Sequence, residues 1–271
     1  MSSNDLTTLQ PHHYKKTVLT SDKGRIIDVI TILNFAEHSI IITTENYEDR
    51  IIAHLDKYII MDDVIIEKSG EGQQLVILWG DNVKVKVVEI ENLLLNEDNF
   101  FELSDKEYLF TDHFGFEKII YLTDGILVDN IKEKYEGANH LNFNQYENLR
   151  ISLGIAEGEN EFNDLINPKE CGLEKYISYT KGCYIGQEVI ARLDAQGKIP
   201  KQMVKLSSIS DLTKGDKITL DGKEVGMITS VSGTTGLGFI RSTSIDATKE
   251  YDASGNKIKI ATLFQPAEIL N

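Results

Sequence analysis

The sequence predicts an α+β fold whose last quarter closes into a small β-barrel. Three observations carry this. Helical stripes lie among strands without the regular strand–helix–strand alternation that builds parallel sheets. Beyond residue 198, short β-branched runs recur between turn residues, as in small barrels. The charge balance breaks at the same place: residues 1–197 carry 35 acidic and 18 basic side chains, whereas residues 198–271 carry 8 and 10.

The elements follow in order. Residues 17–19, the turn at 21–24 and the β-branched run 25–35 read as a hairpin, with 39–43 a third strand. Thr44 is placed to cap a helix whose first turns hold Glu45, Glu48 and Asp49, where negative charge suits the helix dipole. Ile51, Ile52, Leu55, Tyr58 and Ile59 supply its apolar stripe. Residues 64–67 and 75–79 predict a second hairpin around the turn 69–72. Residues 83–95 are ambiguous, since Val83, Val85 and Val87 alternate as in a strand while Ile90, Leu93 and Leu94 have helical spacing. Residues 107–111 and 118–122 read as strands. Asn142 or Asn144 opens a helix through Tyr146, Leu149 and Leu153 that stops at Gly154. The charge run 157–161 reads as a solvated loop. In the last quarter, 204–208, 217–220, 224–230, 236–240 and 257–263 are strands, and Asp221-Gly222 marks a tight hairpin because both turn positions want positive φ.

Composition narrows the class of function. The net charge of −15 disfavours binding to an extended phosphate backbone, which relies on Lys and Arg. Two cysteines, Cys171 and Cys183, cannot build a disulfide scaffold or a four-thiolate metal site. The first residues lack the apolar core of a signal peptide, and the longest apolar runs fall far short of the ~18 residues a membrane span needs. The expectation is a soluble, cytoplasmic, monomeric protein with no membrane association. The six histidines show no ligand spacing, so no metal site is expected.

One stretch is over-specified for packing alone: Lys181, Gly182, Cys183, Tyr184, Ile185, Gly186, Gln187, Glu188, Val189, Ile190, Ala191 and Arg192. Val189, Ile190 and Leu193 have helical spacing, and the two glycines bracket the turn that feeds this helix. Cys183 then precedes a helix N-terminus and lies two residues from Lys181, both of which favour a thiolate. Cys171 has no such setting and reads as inert.

In these residues the chain resembles the YgfZ branch of the GcvT-like folate-binding family, whose mitochondrial members serve iron–sulfur cluster maturation. Asn167-Pro168-Lys169-Glu170 and the exit through Gly197-Lys198 agree, as do residues 19–28, which resemble the first hairpin of that family. The resemblance implies a three-lobed ring with a C-terminal barrel. Its first lobe is formed by 1–45 with 130–197, its second by 46–129 and its barrel by 198–271. It further implies tetrahydrofolate or a derivative in a central channel, with Cys183 the reactive group. Lys181, Gly182, Tyr184, Gly186, Gln187, Glu188 and Arg192 are the residues expected to bind the cofactor, and iron–sulfur client or assembly proteins are the expected partners.

Three positions depart from the pattern. Aminomethyltransferases of this family carry a paired Asp-Asp that assists transfer to folate, and here Asp28 is followed by Val29. Ser152 stands where a pterin-gripping carboxylate is usual. The chain also starts at a point that lies after an opening strand and helix in relatives, which predicts an unpaired sheet edge. Two alternative functions therefore stand beside the iron–sulfur accessory role. One is a folate-dependent aminomethyltransferase using Asp28, and the other a non-catalytic partner-binding or tRNA-associated protein.

Overall fold

The computed structural model describes residues 2–61, 63–69, 72–197 and 199–263. Strands β1 (His13–Thr20), β2 (Ile26–Asn34) and β3 (Ser39–Ile42) form an antiparallel sheet in that order, followed by α1 (Glu48–Asp56). A second sheet is built from β4 (Gln73–Leu78), β5 (Phe101–Ser104), β6 (Glu107–Asp112) and β7 (Lys118–Asp124), ordered β4-β7-β6-β5, with α2 (Val83–Glu91) and α3 (Val128–Lys134). Then come α4 (Phe143–Leu153), the one-turn α5 (Gly158–Glu161) and α6 (Gln187–Gln196). The last six strands are β8 (Lys201–Ser208), β9 (Lys217–Leu220), β10 (Lys223–Ser232), β11 (Thr235–Arg241), β12 (Tyr251–Ala253) and β13 (Asn256–Leu263). They close a barrel in the order β10-β11-β8-β13-β12-β9. The α+β class and the terminal barrel are thus as the sequence predicts. Among the described residues, no helix is long and apolar enough to cross a membrane.

Period-2 alternation explains how the layers stack. On β6 and β7, Leu109, Ile119 and Tyr121 pack with Val87, Ile131 and Tyr135 of the covering helices. The alternate residues, Tyr108, Phe110, Ile120 and Leu122, pack with Leu33 of β2. The second sheet is therefore sandwiched, and all of β6 is buried. The opposite face of the first sheet presents Leu19, Ile30 and Ile32 to Ile51 and Leu55 of α1. A central core joins everything: Val18 and Ile26 from the first sheet, Phe114 and Phe116 from the β6–β7 turn, and Met203 and Phe239 from the barrel.

Several expectations are corrected. Thr44 does not cap α1, whose N-cap is Tyr47; its hydroxyl and amide are spent on Asp28 instead. Residues 64–67 form no strand, and β4 pairs with β7 rather than with them; positions 70 and 71 of the expected turn lie outside the described residues. The ambiguous stretch is helical over Val83–Glu91, because Val87 is drawn into the core beneath β7. Strands β5 and β12 were not foreseen, being only four and three residues long. The predicted open edge of β1 is covered at both ends. Ser3 donates its amide to Val18 (3.0 Å), while Tyr14 and Phe100 exchange backbone bonds with Asp98 and His12 (2.9 and 3.1 Å). The Asp221-Gly222 turn forms as expected, with φ of +50° and +75°.

The charge run 157–161 is not a solvated loop. It ends in α5, and Glu161 is 0% exposed. Glu161 accepts from Arg150 Nη1 (3.0 Å) and, on its other oxygen, from the hydroxyls of Thr229 and Ser230 on β10 (2.7 Å each). Arg150, 2% exposed, makes a two-point contact with Glu147 (2.6 and 2.7 Å) and donates to the Ile155 carbonyl (3.1 Å). Every strong donor and acceptor is matched, the condition under which a buried ion pair is tolerated. Glu170 contrasts with it. Only 1% exposed, it accepts from the Asn167 amide (2.9 Å), with Arg25 at 3.6 Å and Lys201 at 3.9 Å, and its Oε1 has no hydrogen-bond partner among the described residues. Burial pushes its carboxyl up.

Arg150→Ala strands the Glu161 carboxylate and is expected to cost about 3–5 kcal/mol of unfolding free energy; a loss below about 1 kcal/mol in denaturant titrations contradicts this account. For Glu170 the folded state holds its proton more tightly than the unfolded chain, so ionisation works against the fold. Its contribution to stability falls as pH rises from the ordinary glutamate range through the raised folded value. Stability measured from pH 4 to 7 is therefore expected to move in favour of Glu170→Gln relative to wild type, and a flat difference refutes the assignment.

Candidate functional site

A large cleft of about 1370 Å³ opens among the described residues. It lies between β3, α1 and residues 64–69 on one side and β4, α3 and α4 on the other. Two sheet edges wall it: among the described residues, β3 pairs only with β2, and β4 only with β7. Every residue of both strands lines it, so main-chain groups as well as side chains face the space.

Local sequence explains its most ordered corner. Asn142 and Gln145 form a reciprocal capping box that starts α4, and Gly154 ends it at φ +79°. The chain then turns back through buried Ile155 and Ala156, delivering Glu157 to Tyr146, whose hydroxyl donates to Glu157 Oε2 at 2.5 Å. Burial and this carboxylate both push the Tyr146 hydroxyl up. Trp79, just after β4, stands edge-on to Tyr146 (6.3 Å between centroids) and to Phe116 (6.1 Å). Glu45, Glu48 and Glu67 oppose Lys68 and Lys132 elsewhere on the lining. Sequence reading missed Glu157, Tyr146 and Trp79 as site residues. The usable signal was the helix stop at Gly154, which forces the following carboxylate back alongside the helix.

The residues singled out from sequence lie elsewhere, at the turn end of the β1–β2 hairpin. Gly186 has φ +81°, and a Cβ there would fall 2.4 Å from the Ser21 carbonyl and 2.9 Å from Gly24 Cα. Only glycine lets the start of α6 sit this close. Thr20 fixes the same approach by donating its hydroxyl to the Ile185 carbonyl (2.5 Å). Tyr184 is buried with Ile177 and Ile190, and Gln187 Oε1 accepts from its amide (3.4 Å). Gly182 has no positive φ and open space around it, so nothing local demands glycine. Lys181 turns to the first residues, donating to the carbonyls of Ser2 (2.7 Å) and Asn4 (3.1 Å), and burial lowers its pKa. Glu188 and Arg192 project exposed from α6. Cys183 is exposed, whereas Cys171 is buried with its thiol pushed well up by burial.

Asp28 is 0% exposed. Its carboxylate accepts from the amides of Val29 (2.8 Å) and Thr44 (3.0 Å) and from the Thr44 hydroxyl (2.7 Å), and burial raises its pKa. Asp28 pairs with Leu19 beside Thr20, so it shares a hairpin end with the cysteine segment. Neither Asp28 nor any residue from Lys181 to Arg192 lines the cleft. Ser152 is exposed, its hydroxyl donating to Leu149 (2.7 Å) while its carbonyl accepts from Lys205 of the barrel (2.9 Å), and it does not line the cleft either. Among the described residues, no three His, Cys, Asp or Glu side chains are grouped to hold a metal.

Comparison with known proteins gives this geometry a context. Residues 195–263 match the CAF17 C-terminal β-barrel domain. A chloroplastic transferase-like protein of Arabidopsis thaliana is 40% identical over 112 residues, 39% of this chain and 26% of that protein. An aminomethyltransferase of Thermosipho melanesiensis is 23% identical across 84% of this chain and 66% of its own length. The tRNA-modifying protein YgfZ of Blochmanniella pennsylvanica is 22% identical across 82% and 68%. The chain thus spans from about a quarter to two thirds of these relatives. The glycine cleavage system aminomethyltransferase T of Bartonella henselae shares the fold, with a TM-score of 0.79 at 15% identity over 96% of this chain and 78% of that one. Barrel, relatives and shared architecture agree in one direction: the chain is similar to YgfZ/GcvT-like proteins and shares the aminomethyltransferase fold.

Proposed function

We propose that this protein binds a reduced folate in the cleft and acts as a cytoplasmic accessory factor in iron–sulfur cluster assembly or repair, with Cys183 as its reactive group. The observation that carries the folate reading is Glu157 in an aromatic-edged cleft. The amino-pyrimidine edge of a pterin offers adjacent N–H donors, which one carboxylate accepts together in charge-assisted bonds. Glu157 has one oxygen committed to Tyr146 and lies on the cleft lining, so it suits that role where Ser152 does not. Trp79 and Tyr146 supply apolar surface for a flat ring. Lys68 and Lys132 are the ammoniums on the lining, and the glutamate tail of the ligand would displace their exposed partners Asp49 (2.9 Å) and Asp129 (2.7 Å). When bound, a reduced folate supplies a one-carbon carrier at its ring nitrogens.

The accessory role is preferred to aminomethyl transfer because of Asp28. All three bonds to its carboxylate come from the protein itself, and it has no exposed surface from which to position a folate amine. Exposed Cys183 is the chemically active side chain left by the signature segment. A relative carries the name tRNA-modifying protein; with a net charge of −15, any RNA contact of this chain would be small and local.

Titration calorimetry with 5-formyltetrahydrofolate is expected to show one site, and Glu157→Gln to weaken it at least tenfold, about 1.4 kcal/mol; equal affinity removes Glu157 from the site. Cys183→Ser is expected to keep the folate affinity and melting temperature of the wild type while lowering the activity of an iron–sulfur client enzyme in cells. Unchanged client activity excludes the thiol role.

A further inference from the structure

A second feature stands apart from the cleft, where β1, the β6–β7 turn and the segment before the cysteine signature meet. Asp112 is 6% exposed, and its Oδ2 accepts from Lys16 Nζ at 2.7 Å with Lys118 Nζ at 3.4 Å. Lys175 completes the group, donating to the carbonyl of neighbouring His113 (3.3 Å). Two ammonium groups thus share one carboxylate, and a third, Lys175, stands beside them on a main-chain carbonyl. Glu117, on the same turn, is turned toward Lys84 (3.9 Å) and His113 (4.0 Å).

The surplus matters because water can relieve little of it. The Lys16 and Lys118 side chains are 17% and 6% exposed. Buried cations need anionic partners, and ring faces or carbonyls replace them only in part. Lys16 lies 5.7 Å from the Phe114 ring centroid and 5.9 Å from that of Tyr176, Lys118 lies 5.1 Å from Phe116, and Lys118 also reaches the Phe114 carbonyl (3.3 Å). Lys175 is exposed, so the group opens to solvent on its side. Burial and the two neighbouring lysines lower the pKa of Lys175, against the pull of Asp112.

We propose that Lys16, Lys118 and Lys175 form a site for a small oxyanion, a carboxylate or phosphate group, entering from the Lys175 side and completing the charge balance that Asp112 leaves unmet. Nothing in this depends on the cleft or its ligand. Lys175 makes the first contact, Lys16 and Lys118 supply field from behind, and the Phe114 and Tyr176 rings, 6.0 Å apart, pack against Lys16.

The test is calorimetric titration of the full chain with inorganic phosphate and, separately, with glutarate, both at constant ionic strength. Saturable one-site binding of either is expected, and the tighter of the two identifies the ligand chemistry. Lys175→Gln should weaken it at least tenfold, Lys175→Arg should retain it, and Lys249→Gln on the barrel should leave it unchanged. Saturation should also raise the NMR-measured pKa of the Lys175 ammonium, a response that a merely structural lysine would not give. Absence of saturable binding for both anions overturns the proposal, as does wild-type affinity in Lys175→Gln or an unmoved Lys175 titration.

Discussion

The buried pair of Arg150 and Glu161 is the constraint on which the arrangement of the other parts depends. Arg150 sits one turn beyond Tyr146 on α4, so its position fixes the rotation of that helix. Glu161 closes the turn that begins at Glu157, and its Oε2 also lies 3.4 Å from the Glu157 amide. Through Thr229 and Ser230 the same carboxylate holds the barrel. One charge pair therefore couples the helix that shapes the cleft, the carboxylate on its lining and the barrel. Apolar packing around Ile155, Phe162 and Met203 supplies the bulk of the adhesion, but it is non-directional. The ion pair sets the angle.

A second set of contacts explains why the cysteine signature is so densely specified. Gly186, Thr20 and Gly24 bring α6 against the first hairpin, and Asn167 secures that turn by donating to the Gly24 carbonyl (2.8 Å). Much of the segment is thus accounted for by close packing rather than by ligand contact. Cys183 is what packing leaves over: exposed, at the head of α6, on a framework held by backbone approach.

The parts of the fold legible in the sequence were those with local causes. The Asn142 cap and Gly154 stop, the Asp221-Gly222 turn and the alternating barrel strands all follow from the residues themselves. Where tertiary contacts decided, sequence reading went astray. Thr44 is a good cap by propensity, yet Asp28 claims its hydroxyl. Val83, Val85 and Val87 alternate like a strand, but Val87 is needed beneath β7 and the stretch is helical. Glu161 looks like one charge in a solvated run, because nothing nearby in sequence reveals that Arg150 and two barrel hydroxyls converge on it. The candidate site was less legible still. Its walls come from strands far apart in the chain, and its carboxylate was hidden in that same acidic run.

The two unpaired strand edges facing the cleft have a consequence for how its selectivity can change. Amides and carbonyls of β3 and β4 are present whatever side chains those strands carry. A ligand gripped partly by main chain keeps those bonds through almost any substitution along the walls. Discrimination between related ligands must then be concentrated in the few groups that substitution can alter, Glu157, Tyr146 and Trp79 foremost. On the proposed reading the cleft is a generic receptacle with a small, exchangeable reading head, a division of labour that would let its preference be retuned without rebuilding its walls.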